Sequence, residues 1–286
     1  MKILEVANSG TVGTVEMGPV STDIYFISKY LNSFGHQVTI FDVHSTIPRE
    51  IMPKEIQVVT SDAIQRQTLL KYNIDISNKN KLKKIYYRKS LHKKEIDNEK
   101  KFFKDLFDKL DVYNFDIIHF HWWRSALYFS KLHRNYVYTS HTPNWCSYLR
   151  YVGLKGFIKK LILNSKILQG KHEYNVIKNA KLTIALGDFL AQKVNSNNIV
   201  TIPNGIELDS WIPRPKNSSR RELGLNENDF IILYTGRVSY IKGIHILVKA
   251  IEILINEINN IKVIIIGWLA DQYGCDSDKS VYVKKS

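Results

Sequence analysis

The sequence predicts an α/β protein: a doubly wound parallel sheet, followed by the beginning of a second unit of the same kind. Three observations predict it. Short apolar runs recur along the chain and end in glycine or polar residues, apolar residues at helical spacing stand between the first two of these runs, and the strand, loop, helix, strand order returns after residue 230. Units of this order build parallel sheets, because a parallel neighbour needs a crossover that a helix supplies.

Taken in order, Lys2 to Ala7 is a short buried strand that feeds a loop holding Gly10, Gly13 and Gly18, with Pro19 after it. Ile24, Ile27, Tyr30, Leu31 and Phe34 then share a helical face, and Gly35 stands where that helix should stop. Val38 to Phe41 is the second strand. Residues 78–104 are heavily basic and helical in part, with Ile85, Tyr86, Leu91, Phe102, Phe103, Leu106 and Phe107 as an apolar face. Phe115 to Trp122 is a buried strand ending in polar residues, Tyr136 to Ser140 the next, and Leu182 to Ala185 and Ile199 to Ile202 two more. Pro203-Asn204-Gly205 is a turn, and the prolines at 213 and 215 mark a linker, so the first domain is expected over 1–202 and a second over 203–286. In the second, Phe230 to Tyr234 and Ile261 to Gly267 are strands around a loop (Thr235 to Gly243) and a helix (Ile244 to Ile258). The polar residues 271–286 show no further strand and helix pair, and Asp276-Ser277-Asp278 reads as solvated turn residues. With two strands in about 70 residues the second domain is expected to be incomplete.

Composition narrows the function class. With 44% hydrophobic and 24% charged residues the chain is neither disordered nor membrane-embedded. Cys146 and Cys275 lack the spacing of a zinc or redox site, and a reducing, cytoplasmic compartment is expected. The first residues are too briefly apolar for a signal peptide, and no uncharged apolar run of 18 residues occurs. A net charge of +14, from 41 Lys and Arg against 27 Asp and Glu, points to an anionic partner. Nucleic acid, anionic lipid and phosphorylated substrates all satisfy that requirement. Nucleic acid ranks last, since the charge surrounds no reading helix, zinc finger or stacking platform.

The residues with the most definite chemistry are Gly236-Arg237 and Lys242-Gly243, placed between a strand and the helix that starts near Ile244. Two fixed cations beside a helix N-terminus, whose free N–H groups already favour anions, make a place for phosphate oxygens. Isolated, the same two residues would be solvated surface cations. Tyr234-Thr235-Gly236-Arg237 with Lys242-Gly243, the turn Ile202 to Glu207 ahead of Trp211 and Pro213, and Val263 to Gly267 follow one another in an order that resembles the family-four GT-B glycosyltransferases. Gly18-Pro19, Phe34 to Thr39, Asp116 to His121 and Thr139 to Thr142 resemble the same family's first domain, so the likeness runs through the whole chain.

The resemblance implies a GT-B-like fold and a retaining transfer from a nucleoside-diphosphate sugar to a glycan or lipid-linked acceptor, of the kind used in cell-surface polysaccharide or glycoconjugate synthesis. It implies that Arg237 and Lys242 hold the donor diphosphate, that the loop from Gly13 to Gly18 closes over it, and that His121 lies near the reacting sugar. His141, Asn204, Gly236 and Gly243 are the remaining candidate substrate contacts. On the residues alone, His119 and His121 share one face of a strand, so either can instead be a hydrogen-bonded core residue, and Asn204 is explained by its turn. No metal and no cofactor beyond the donor are expected, since a His-x-His pair needs further ligands. The family's pair of glutamates seven residues apart, which hold the donor sugar, has no counterpart here, and Glu252 and Glu257 lie too early. An inactive binding protein or half of a split enzyme is therefore the alternative expectation. Lys155 to Leu163 is cationic and amphipathic, which suits either a solvated face or peripheral contact with anionic lipid at the inner membrane face.

Overall fold

The computed structural model describes residues 1–63, 81–132, 135–141, 144–149, 165–270 and 276–280. The chain forms two compact units, Met1–Gly205 and Ile206–Ser286. In the first, β1 (Lys2–Val6), β2 (Gln37–Val43), β3 (Gln57–Ser61), β4 (Ile117–Phe120), β5 (Val137–Ser140), β6 (Leu182–Ala185) and β7 (Ile199–Thr201) form one sheet in the order β3-β2-β1-β4-β5-β6-β7. Every neighbouring pair is parallel. The helices α1 (Pro19–Ser33), α2 (Lys81–Lys109), α3 (Trp123–Ser130), α4 (Trp145–Leu149), α5 (Ser165–Asn179) and α6 (Asp188–Lys193) are the crossovers.

Helix α1 begins as its residues dictate. Gly18 caps it in extended conformation and Pro19 takes the first turn, where its missing N–H costs nothing. Gly35, at φ 84°, closes the other end by donating to the Asn32 carbonyl at 2.9 Å. Both faces of the central strands are covered, as a parallel sheet requires. On β2, Phe41 and Val43 pack into the larger core with Leu4, Val6, Phe102, Leu106, Phe120 and Phe129, while Val38 and Ile40 face a second cluster with Val12, Ile24 and Ile56. That alternation is the two-residue period of a strand.

The basic segment is a single helix, α2, of 29 residues, longer than the partly helical stretch its composition suggests. Strand β3 carries no clear apolar signal, because it is an edge strand whose residues are only partly buried until Ser61. In the second unit, β8 (Phe230–Thr235) and β9 (Ile261–Ile266) pair in parallel, α7 (Lys216–Glu222) precedes them, and α8 (Ile244–Leu254) connects them. No residue of α8 is fully buried, and Ile246 and Ile253 are each 64% exposed. One expectation is corrected. Asp276–Ser280 is a strand, β11, antiparallel to β10 (Trp268–Ala270), and not a solvated turn. Backbone groups pair whatever the side chains are, so a polar run can still close a hairpin. Lys155 to Leu163 and Thr142 lie outside the described residues. Among the described residues no helix is long and apolar enough to cross a membrane.

Candidate functional site

The strand order reverses between β1 and β4, because the chain leaves β1 toward β2 and β3 and then crosses back over to β4. In open parallel sheets the crevice beyond the carboxyl ends of such a pair is where ligands bind. Glu5 of β1 and His119 of β4 are register partners at this place, and His121 follows directly after β4. The Glu5 carboxylate lies completely buried between the two rings: His121 Nε2 is 2.7 Å and His119 Nδ1 2.9 Å from the same oxygen, Oε2. His119 Nε2 is 2.7 Å from the Thr139 hydroxyl, and His121 Nδ1 is 3.0 Å from Nε2 of His141, which stands just beyond β5. The His119 and His121 rings are 4.1 Å apart between centroids, and those of His121 and His141 5.3 Å. Asp23, on α1, closes the group with a carboxylate oxygen 4.0 Å from His141 Nε2.

Burial alone pushes the Glu5 carboxyl up, but the charge and hydrogen bond of His119, and then those of His121, outweigh it and hold it at about 2. Burial, then the charge of His119, takes His121 down to about 4 against the opposing pull of Glu5. Burial, then the charges of His121 and His119, takes His141 down to about 3. The Asp23 carboxyl is raised by burial, with His119 opposing and Glu5 adding to the rise. At neutral pH the centre is thus an anionic carboxylate among uncharged His121 and His141 rings. Among the described residues, Glu5, His119 and His121, and separately Asp23, His121 and His141, have donor atoms close enough to share a metal ion. The third ligand that a His-x-His pair needs is therefore within reach.

The glycine loop after β1 is held from β2. Buried Asp42 accepts from the Ser9 and Gly10 amides at 2.6 and 2.8 Å and pairs with Arg49 at 3.1 Å. Gly13 sits at φ 76°, and a Cβ there would run into Met52, so its glycine is needed by the loop itself. Gly18 has open space where a Cβ would go. Asn204 is exposed beyond β7.

In the second unit Arg237 and Lys242 bracket one turn. The 3-10 turn Tyr240–Lys242 leads into Gly243, at φ 75°, which caps α8 with no side chain on the first amides of the helix. Arg237 is half-buried and Lys242 exposed. Among the described residues neither has an acidic partner. Gly236 donates to the Ile266 carbonyl at 2.9 Å, and a Cβ on Gly267 would strike the Gly236 carbonyl oxygen, so the ends of β8 and β9 meet through two glycines.

The structure joins His121 to His141 as neighbours, and it adds partners that sequence reasoning missed. Glu5 could have been found as the one charge among the apolar residues 3–6 of β1, which follow the exposed Lys2. Glu173 on α5 is buried, accepting from Tyr138 and Ser140 hydroxyls at 2.8 and 3.0 Å and from the Trp145 amide at 3.0 Å. Glu99 on α2 accepts from the Trp122 indole at 3.2 Å and from Asn8, which holds φ 76° at the end of β1. Neither helix position carried a local signal, since a helix sequence does not reveal which carboxylate will face a strand end.

Comparisons with known proteins agree with this architecture. The chain is 26% identical over 155 residues to spore coat protein SA of Bacillus subtilis (47% of this chain, 41% of the relative). It is 30% identical over 98 residues to the lipopolysaccharide 1,2-N-acetylglucosaminetransferase of Salmonella typhimurium (34% and 25%). The chain thus spans less than half the length of these curated relatives. Among solved structures it resembles sucrose-phosphate synthase from Thermosynechococcus elongatus, with TM-score 0.65, 18% identity, and 96% of this chain and 63% of that one covered. It also resembles WaaG, a glycosyltransferase involved in lipopolysaccharide biosynthesis, with TM-score 0.57, 13% identity, and 96% and 65% covered. These likenesses give the fold as GT-B. Residues 215–285 match the model of Glycosyl transferases group 1. Residues 20–210 match that of Glycosyltransferase Family 4, and with most of its length inside that match the chain belongs to this family of glycosyltransferases.

Proposed function

We propose that the chain takes part in transfer of a sugar from a nucleoside-diphosphate sugar to a glycan or lipid-linked acceptor, in the synthesis of a cell-surface polysaccharide or glycoconjugate. The observation that carries this is the turn from Arg237 to Gly243. Lys242 in the turn that leads into α8, whose N-terminus has no side-chain cap, and Arg237 just after β8 have no acidic partner among the described residues, and both lie in the segment matched by the group 1 model. Negative charge grows on a diphosphate as it leaves a sugar, and fixed cations with free helix amides stabilise it without a metal ion. In this reading Arg237, Lys242, Gly236 and Gly243 serve the diphosphate. The loop from Gly13 to Gly18 serves the donor, and His121, His141 and Asn204 belong to the sugar and acceptor side. The relatives' names agree, since they include an N-acetylglucosaminetransferase of lipopolysaccharide and an alpha-galactosylglucosyldiacylglycerol synthase. A place in the cytoplasm at the inner membrane face follows from lipid-linked acceptors and the net charge of +14. Nucleic acid is not a partner in this reading.

Calorimetry of the full chain against a panel of UDP-, GDP- and ADP-linked hexoses tests it. At least one donor should bind, unaffected by EDTA, and Arg237→Ala should weaken that binding roughly 10-fold to 100-fold, the scale of one lost charge-assisted contact. No heat from any member of the panel would overturn the reading and leave the binding-protein or split-enzyme alternative.

A further inference from the structure

We propose that Glu5 is a positioning residue: it locks His121 in the Nε2–H tautomer, and through His121 it leaves His141 with an unshared Nδ1 lone pair as the acceptor the cluster offers to a substrate hydroxyl. Donor and acceptor arithmetic fixes where the protons sit. A carboxylate only accepts, so both ring nitrogens against Oε2, His121 Nε2 at 2.7 Å and His119 Nδ1 at 2.9 Å, must carry their protons. An uncharged ring has one N–H, so His121 Nδ1 is a lone pair. At 3.0 Å from it, His141 Nε2 must then be the donor, which makes His141 Nδ1 a lone pair in turn. The reversed tautomer of His121 would set a lone pair against a carboxylate at 2.7 Å, two acceptors with nothing between them. His119 Nε2 is occupied by Thr139. Of the six ring nitrogens, His141 Nδ1 alone has no partner among the described residues.

The charged and titratable groups around the lock are Glu5 beneath it, His119 beside it and Asp23 on α1. Glu5 and Asp23 place two carboxyl groups around it, so the offered acceptor suits a neutral O–H donor and repels a phosphate. That the hydroxyl belongs to a sugar rests on the transfer reading above; the tautomers do not.

The test uses the full chain labelled with 15N at histidine and long-range 1H–15N spectra at pH 7, which separate protonated from unprotonated ring nitrogens. Expected are N–H at His119 Nδ1 and at Nε2 of His121 and His141, with a lone pair at His141 Nδ1. Glu5→Gln keeps an oxygen able to stand at the place of Oε2 and should keep these tautomers, whereas Glu5→Leu should spread His121 over both. Should Glu5→Leu fail to fold, the unmodified chain and Glu5→Gln decide. An Nδ1–H or doubly protonated His121, His121 unchanged in a folded Glu5→Leu, or a stoichiometric metal ion on the cluster by elemental analysis overturns the proposal. Absence of donor binding would sink the transfer reading and leave these tautomers as stated, so the two failures are distinguishable.

Discussion

Glu5 and Glu173 are both buried carboxyls, and their surroundings drive them in opposite directions. Glu5 meets two ring N–H groups whose attraction outweighs burial. Glu173 meets only neutral donors, so burial dominates and lifts it to about 7, against the hydrogen bonds from Tyr138, Ser140, Trp145 and Asn144. A raised carboxyl binds its proton more tightly folded than unfolded. Its contribution to stability is therefore present below about pH 4.5 and is lost as pH rises toward 7. Glu173→Gln mimics the protonated form. It is expected to gain on the parent as pH rises from 5 to 8, read as a widening difference in urea midpoint, and a constant difference would contradict this.

At the scale of elements, the legible parts were those whose residues speak locally. Helix α1, with Pro19 and Gly35 at its ends, and the apolar strands β1, β2, β8 and β9 are of this kind. The helices α3 and α5 were not read, because Trp123–Ser130 is short and Ser165–Asn179 mixes polar and apolar residues around its circumference. Strands β3 and β11 were missed because pairing, and not side-chain pattern, makes them strands. What ties the long basic α2 to the sheet is a small apolar stripe. Phe102, 1% exposed, lies 4.9 Å from Phe41 between ring centroids, and Leu106 is buried beside it. Phe102→Ala should cost about 3–5 kcal/mol in chemical denaturation. A loss below 1 kcal/mol would mean that this contact does not anchor the helix.

For the whole molecule, the histidine cluster sets the acid limit. His121 and His141 titrate at about 4 and 3 when folded but near 6.5 when unfolded, so the unfolded chain takes up protons first and stability falls as pH drops from 6.5 toward 4. Glu5 adds to the loss between 4.5 and 2. Because Glu173 works the other way between 4.5 and 7, the decline is best measured in the Glu173→Gln background, where the urea midpoint followed by far-UV circular dichroism should fall between pH 6.5 and 4.5. A flat midpoint would refute the buried neutral rings. The sequence by itself determined the α/β class, the order of the main strands, the family and the cation turn at Arg237 and Lys242, because periodicity, glycine turns and short motifs are properties of neighbouring residues. Only the tertiary structure decided that Glu5, more than a hundred positions from His121, lies against it. Sequence distance carries no information about which strand ends meet across a sheet, and it is the strand order reversing between β1 and β4 that brings carboxylate and imidazoles together.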